Sequence, residues 1–455
     1  MALSAQHWQE RLALLADKHD VPGASLAVLD GGEVFTAANG VLNKRTNAPV
    51  STESLFQIGS ISKVWTATLV MQLVEEGLLD LDAPVVTYLP DFRVADPDVT
   101  KAVTLRHLLA HSSGIDGDLF LDTGRGDDCV EKYVAAMAGL RQNHPLGATM
   151  SYCNSGYVVV GRVIEVVTGK AWDAVLRERL FVPLGLGSAG TLPEEALLHS
   201  AACGHITKPG QKPVPADVWG IMRSCGPAGL IHATAAEVIA FAKLHIDGGV
   251  GPEGTRLLSE ELTASMQQPQ VAVPDPYTYG SHWGLGWILM EWSGHRIYGH
   301  DGGTIGQYAF LRISPETGLA VCLLTNGGRA GDLFHDLFSE VFSELAGIDV
   351  PGRLQPASEP VDFDAADYVG RYEREELTVT IEHVDGGLVA RSLNTGGLAD
   401  AQKAEETRIE LIPVQPEVFL MRIPGSEASP SPAVFFSLDD GRRYIHFGAR
   451  ATPRV

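Results

Sequence analysis

The stretch FQIGSISKVWTATLVMQLVEEG, residues 56–77, sets Lys63 three positions after Ser60, with no other ionisable side chain between Ser54 and Val74. A solvent-facing helix would scatter several charges over that length, so this ammonium is expected to be withdrawn from water. If Val64 to Val74 is helical, Ser60 and Lys63 lie one turn apart on one face. The helix N-terminus then favours negative charge at the serine, and a desolvated lysine has a lowered pKa and can accept a hydroxyl proton as a neutral amine. The chemistry on offer is an activated serine nucleophile. Ser-x-x-Lys also arises by chance, so other groups must converge on the pair.

Two further stretches could supply them. SYCNSGY sets Tyr152 and Asn154 two residues apart just before a helix. A phenol beside an amine can pass a proton, and an amide can hold a carbonyl oxygen or the lysine. The same residues could simply cap the helix over Ser155 to Val167. In YGHDGGTIGQ, His300 precedes Asp301, Gly302 and Gly303 at the edge of a strand. Paired glycines there let substrate backbone approach and free a main-chain N–H for an oxyanion hole. A glycine-rich hairpin loop with an incidental histidine is the alternative.

These stretches need a scaffold, and the chain is long enough for two or three domains: 455 residues, 45% hydrophobic and 20% charged. Its 34 basic and 56 acidic residues give a net charge of -22, which excludes a polyanion binder, so no nucleic-acid partner is expected. The opening MALSAQHWQERLALLADKHD reads as an amphipathic helix with Trp8, Leu12, Leu15 and Ala16 on one side and no export-signal pattern. No apolar run has the length of a membrane span. Five cysteines, with no C-x-x-C pair, argue against a disulfide framework and a zinc site. The expectation is a cytoplasmic protein with free thiols.

SLAVLDGGEVFTAANG predicts a hairpin around Asp30-Gly31-Gly32, SGYVVVGRVIEVVTG and AAEVIAFAKLHIDGG predict helices, and RIYGH with QYAFLRISPETGLAVCLLTNGG predicts three strands. Strands, then helices, then strands again imply an antiparallel sheet completed by both ends of a domain over 1–348. Three prolines in DVPGRLQPASEPVD, 349–362, mark a linker. From 363 to 455 the pattern becomes short strands with tight turns around Asp385-Gly386-Gly387 and Asp440-Gly441, the pattern of a small antiparallel β-barrel. The fold class is α+β.

In order and content, Ser60-Ile61-Ser62-Lys63, Tyr152-Cys153-Asn154 and His300-Asp301-Gly302 closely resemble the motifs of the serine β-lactamase and penicillin-binding protein superfamily, class C β-lactamase-like branch. That branch includes esterases, D-stereospecific peptidases and the penicillin-binding-protein-type thioesterases of peptide biosynthesis. LLAHSSGI at 108–115, PLGLGSAG at 183–190 and GPAGLIHATAAEVIAFA at 226–242 resemble its framework, and the likeness runs over residues 5–345. It implies a β-lactamase/DD-peptidase-like sheet flanked by helices, with a helical subdomain.

The resemblance implies that Ser60 is acylated, Lys63 is its base, Tyr152 shares the proton transfer, and Asn154 binds Lys63 or the substrate amide. Backbone N–H groups of Ser60 and Gly303 would form the oxyanion hole beside Gly302, with no metal or cofactor. His111 would serve the framework through a hydrogen bond, and Cys153 would serve packing. His300 stands where many β-lactamases have a lysine. A neutral imidazole holds a carboxylate less firmly, so efficient β-lactamase activity is not expected. The C-terminal region, through Tyr368-Val369-Gly370-Arg371-Tyr372 and Phe447-Gly448-Ala449-Arg450, resembles the lipocalin-like domain of some D-aminopeptidases and peptide-cyclising thioesterases. There Arg450 is the arginine expected to reach substrate, with a surface strand arginine as the alternative. The implied substrate is a small molecule or a peptide, a carrier-bound peptidyl thioester with a D-residue among them. A carboxylesterase or D-stereospecific peptidase, and a weak β-lactamase or penicillin-receptor-like sensor, are the alternatives.

Overall fold

The computed structural model describes residues 5–395, 405–439 and 441–455. Its larger part is built on a nine-stranded antiparallel sheet. Strand Gly23–Asp30 turns back into Glu33–Asn43 with Asp30 opposite Glu33, and its other edge pairs with Leu319–Thr325, Ala27 facing Cys322. The two ends of this unit therefore close one sheet, as the strand-helix-strand order implies. Alternation does the rest: Ala24, Leu26 and Val28 join one hydrophobic cluster and Ala27 and Leu29 the other.

On one face lie helix Ala5–Lys18, with Trp8, Leu12, Leu15 and Ala16 buried as its periodicity predicts, and helix Ala330–Ala346. The helical layer on the other face is centred on Ser62–Glu75, in which every residue from Ser62 to Leu73 is buried. A helix enclosed all round needs no charged face, which is why the segment around Lys63 reads so apolar. Trp65 stacks on Phe241 of helix Ala235–Ile246 at 3.8 Å between ring centres, fixing the two helices together. Among the described residues no helix is long and apolar enough to cross a membrane.

Residues 347–364 carry no helix or strand. Beyond them, eight strands from Gly370–Arg374 to Arg450–Pro453 pair in sequence order as an antiparallel meander. The last strand returns to the first, Tyr372 bridging Arg454 and Val455 N–H donating to Arg371 O at 2.9 Å, so the barrel is nearly closed around Tyr372, Phe419 and Phe435. Of the expected Asp440-Gly441 turn, Asp440 lies outside the described residues.

Two hairpin tips of the barrel reach the motif region of the larger unit. Phe447 pairs with Arg450 across Gly448-Ala449, and Tyr152 N–H donates to Ala449 O at 2.8 Å. Arg374 pairs with Leu377 across Glu375-Glu376, and Glu375 N–H donates to the Asp116 carboxylate at 2.6 Å.

Candidate active site

Ser60 sits in a 3₁₀ turn, Gly59–Ile61, that runs directly into helix Ser62–Glu75. Lys63, in the first turn of that helix, is fully buried. Its Nζ lies 3.1 Å from Ser60 Oγ and donates to Asn154 Oδ1 at 2.7 Å and to Ala228 O at 2.5 Å. A neutral amine has two N–H bonds and one lone pair. Two carbonyl oxygens take the N–H bonds, and the lone pair is left for the serine hydroxyl. Burial holds Lys63 well below the ordinary lysine range, the Arg450 guanidinium adds to the shift, and Asp118 partly opposes it.

Strand His295–Gly303 ends against this turn. A Cβ on Gly302 would fall 1.9 Å from Ile58 O, and one on Gly59 2.6 Å from Gly303 N, so the two chains touch backbone to backbone. Only glycine at 302 lets the strand bring the Gly303 main chain beside Ser60.

Tyr152 is buried, and its hydroxyl faces Ser60. Burial raises its pKa, and interaction with Ser60 and Arg450 offsets part of the rise, so it is a phenol at neutral pH. Its ring lies 4.7 Å from Lys63 Nζ. Asn154 opens helix Asn154–Thr168, one residue earlier than the sequence predicts. Cys153 caps that helix, Sγ accepting from Gly156 N–H at 3.2 Å, with burial pushing its thiol up to about 12. His111 Nδ1 accepts from Cys153 N–H at 3.0 Å and its ring stacks on Tyr152 at 4.1 Å. That is a framework hydrogen bond to the motif backbone.

His300 Nδ1–H donates to Asp301 O at 2.6 Å, which leaves Nε2 as a buried acceptor without a partner among the described residues. Burial, reinforced by Lys63, lowers its pKa to about 3. The site histidine is neutral at physiological pH and offers a lone pair where a lysine would offer a cation. Ser60, Tyr152, Asn154, His300, Gly302, Gly303 and Arg450 all line one cavity of about 460 Å³. Its volume is that of a small-ligand site, and Phe120, Trp283 and Tyr308 give it apolar walls.

Arg450 is therefore not a surface strand arginine. The Gly448-Ala449 tip carries its guanidinium to 4.9 Å from the Tyr152 ring centre, and it is bound bidentately to Asp118, Nε to Oδ2 at 3.0 Å and Nη2 to Oδ1 at 2.7 Å. Asp118 also accepts from Asn154 Nδ2 at 3.0 Å and from Arg374 of the other hairpin tip. Neither Asp118 nor Arg374 stands out in the sequence. Asp118 falls in DGDLFLDTGRGDDCVEKY, one aspartate among several, and the apolar neighbours Leu119 and Phe120 are the one local sign that its loop is buried. Among the described residues no group of three or more His, Cys, Asp or Glu side chains is placed to hold a metal ion.

A model of the beta-lactamase family matches residues 6–341 of the chain. The chain is 48% identical to Penicillin-binding protein 4 of Amycolatopsis lactamdurans over 377 residues, 82% of this chain and 99% of that protein. It is 27% identical to an unguisins hydrolase of Aspergillus campestris over 335 residues, 70% of this chain and 61% of that one. Among solved structures, SurE matches with a TM-score of 0.77 at 27% identity, over 99% of both chains.

Proposed function

The chain belongs to the beta-lactamase family of serine hydrolases, and on that premise we propose that it is a serine acyl-enzyme hydrolase or acyltransferase, specifically a penicillin-binding-protein-type thioesterase that releases or cyclises peptides with a D-residue. Ser60 is the nucleophile. Its Oγ attacks the acyl carbonyl as its proton passes to Lys63, and the oxyanion forms against the N–H groups of Ser60 and Gly303. Collapse expels the thiol, alcohol or amine, which takes the proton back from Lys63 through the Tyr152 hydroxyl. Water or an amine then attacks the Ser60 ester and the same proton path runs in reverse.

One observation carries the peptide reading. Arg450 comes from the barrel and lines the same cavity as Ser60, so both units act on one substrate. The likeness to SurE over the whole length supports it, and SurE has also been solved with D-Leu, matching this chain with a TM-score of 0.73. A cavity of about 460 Å³ holds the residues flanking the scissile bond and leaves a longer chain outside, free to fold back. An amine held at the acyl-enzyme outcompetes water through its effective concentration.

The test offers linear peptidyl thioesters ending in a D- or L-residue and follows products together with intact mass. Macrocycle from the D-substrate and a transient ester on Ser60 are expected. Linear acid alone, across lengths and both configurations, would favour the carboxylesterase or D-stereospecific peptidase reading. A penicillin-receptor-like sensor is the second reading, favoured by the 48% identity to a protein named penicillin-binding. It predicts a lasting penicillin adduct and no thioester turnover.

A further inference from the structure

Taking Ser60 and Lys63 as nucleophile and base, we propose that Asp118 is a positioning residue, locking the Asn154 amide toward Lys63 while Arg374 and Arg450 of the barrel neutralise its charge. Barrel docking is then a condition for the chemistry itself, on small substrates as well as long ones.

The loop is pressed onto the motif. A Cβ on Gly117 would fall 2.4 Å from Cys153 Cα and 2.6 Å from Tyr152 O, which drives the neighbouring Asp118 under Asn154. The amide has two different ends. An ionised carboxylate only accepts, so Asn154 must turn Nδ2 to Asp118 and Oδ1 to Lys63, as the bonds of 3.0 and 2.7 Å require. Oδ1 then fixes one N–H of the amine and thereby aims its lone pair.

The charge needs the barrel. A lone buried carboxylate this close would favour the ammonium form of Lys63 and remove the base. Arg450 and Arg374, each from a separate hairpin tip, neutralise Asp118 together with the neighbouring Asp116, whose carboxyl accepts from Glu375 N–H of the same tip as Arg374. Arg450 and Asp118 act on Lys63 directly, and Arg374 acts on it through its pairing with Asp118; the other titratable groups around it, Tyr152, Tyr157, His111, His300, Cys153 and Cys225, are all held in their neutral forms by burial. Arg374 lies outside the cavity lining, so its effect separates from substrate contact.

The experiment measures kcat/KM against pH for a small uncharged activated ester, using the full chain and its Arg374→Gln, Arg374→Lys and Asp118→Asn variants, each checked for folding by circular dichroism. Arg374→Gln is expected to move the acid limb to higher pH, a loss on the order of tenfold at the acid end that fades as pH rises. Arg374→Lys keeps the charge and restores the limb. Asp118→Asn removes one negative charge beside the two guanidinium groups and moves the limb the other way, while lowering the plateau because the amide is no longer locked. Equal losses at every pH, or limbs that stay in place, would overturn the proposal. If Arg374→Gln does not fold, the direction of the Asp118→Asn limb decides. Intact mass separates the two readings: no ester on Ser60 of the unmodified chain would defeat the nucleophile assignment, whereas a Ser60 ester with unmoved limbs defeats only the role of Asp118.

Discussion

Lys63 Nζ donates to Asn154 Oδ1 across 2.7 Å, joining residues 91 positions apart in the chain. The bond spans two helix starts, Ser62–Glu75 and Asn154–Thr168, packed so that the amine is enclosed. Asn154→Asp keeps the shape and adds a carboxylate beside both Lys63 and Asp118. A negative neighbour favours the ammonium form, so acylation by an activated ester should fall by about 10²-fold near neutral pH and recover in part as pH rises. A rapid-quench burst measured from pH 6 to 10 reads both effects. Loss without recovery at high pH would mean that the amide serves substrate binding rather than Lys63.

The close approach of the strand end to the serine turn sets up a paired prediction. Gly302→Ala puts a Cβ against Ile58 O, a backbone atom that cannot step aside, and should push the strand away from Ser60. Gly303→Ala meets nothing nearer than Tyr308 Cδ1 at 3.8 Å and keeps its N–H. Removing an oxyanion donor costs about 10²–10³ in kcat, so Gly302→Ala should lose that much and Gly303→Ala far less. Equal losses would show that the N–H at 303 is not the group that matters.

Much of this was legible beforehand, for physical reasons that differ by residue. Trp8, Leu12, Leu15 and Ala16 announce a helix face through their spacing, and the absence of charge around Lys63 announces a buried helix. Ser60 and Lys63 are three residues apart, so local geometry alone pairs them. Asp118 and Arg374 are 256 positions apart and meet only because a barrel hairpin tip docks on the Asp118 loop. No periodicity encodes that. Strand patterning alone does not tell that Arg450 turns inward, because the first residue of a short strand can face either way; only the likeness of its motif pointed there.

Acid stability follows from the buried histidines. Burial lowers His144 and His232 to about 4 and His245, His300 and His446 to about 3, so all five are neutral in the fold. Unfolded, each protonates near pH 6.5. Below that value the unfolded chain binds more protons, so stability falls as pH falls, by up to about 1.4 kcal/mol per pH unit for each histidine, until pH reaches the folded values. Thermal melts from pH 8 to 5 should slope gently at the alkaline end, where neutral Lys63 already makes the unfolded chain bind one more proton, and drop far more steeply below 6.5, where the five histidines add to it. His245 lies away from the cavity, bonded to Thr68 at 3.1 Å, and His245→Phe should shallow the slope by the share of one histidine. A slope that His245→Phe leaves unchanged would contradict its neutral burial.

Arg450 has two jobs that one variant can separate. It lines the cavity, where substrate can reach it, and it is, after burial, the largest influence holding Lys63 in its neutral form. The second job acts on every substrate and depends on pH; the first acts only on substrates long enough to touch the guanidinium. Arg450→Gln should therefore lower kcat/KM for a small activated ester mainly at acid pH, with the loss fading as Lys63 deprotonates. For a peptidyl thioester with a C-terminal D-residue, a further loss of about 10- to 100-fold should persist at high pH, because a hydrogen bond from a charged donor, about 1.5–3 kcal/mol, is missing at every pH. Parallel pH profiles for the two substrates would confine Arg450 to its electrostatic role and move peptide recognition to other parts of the cavity wall.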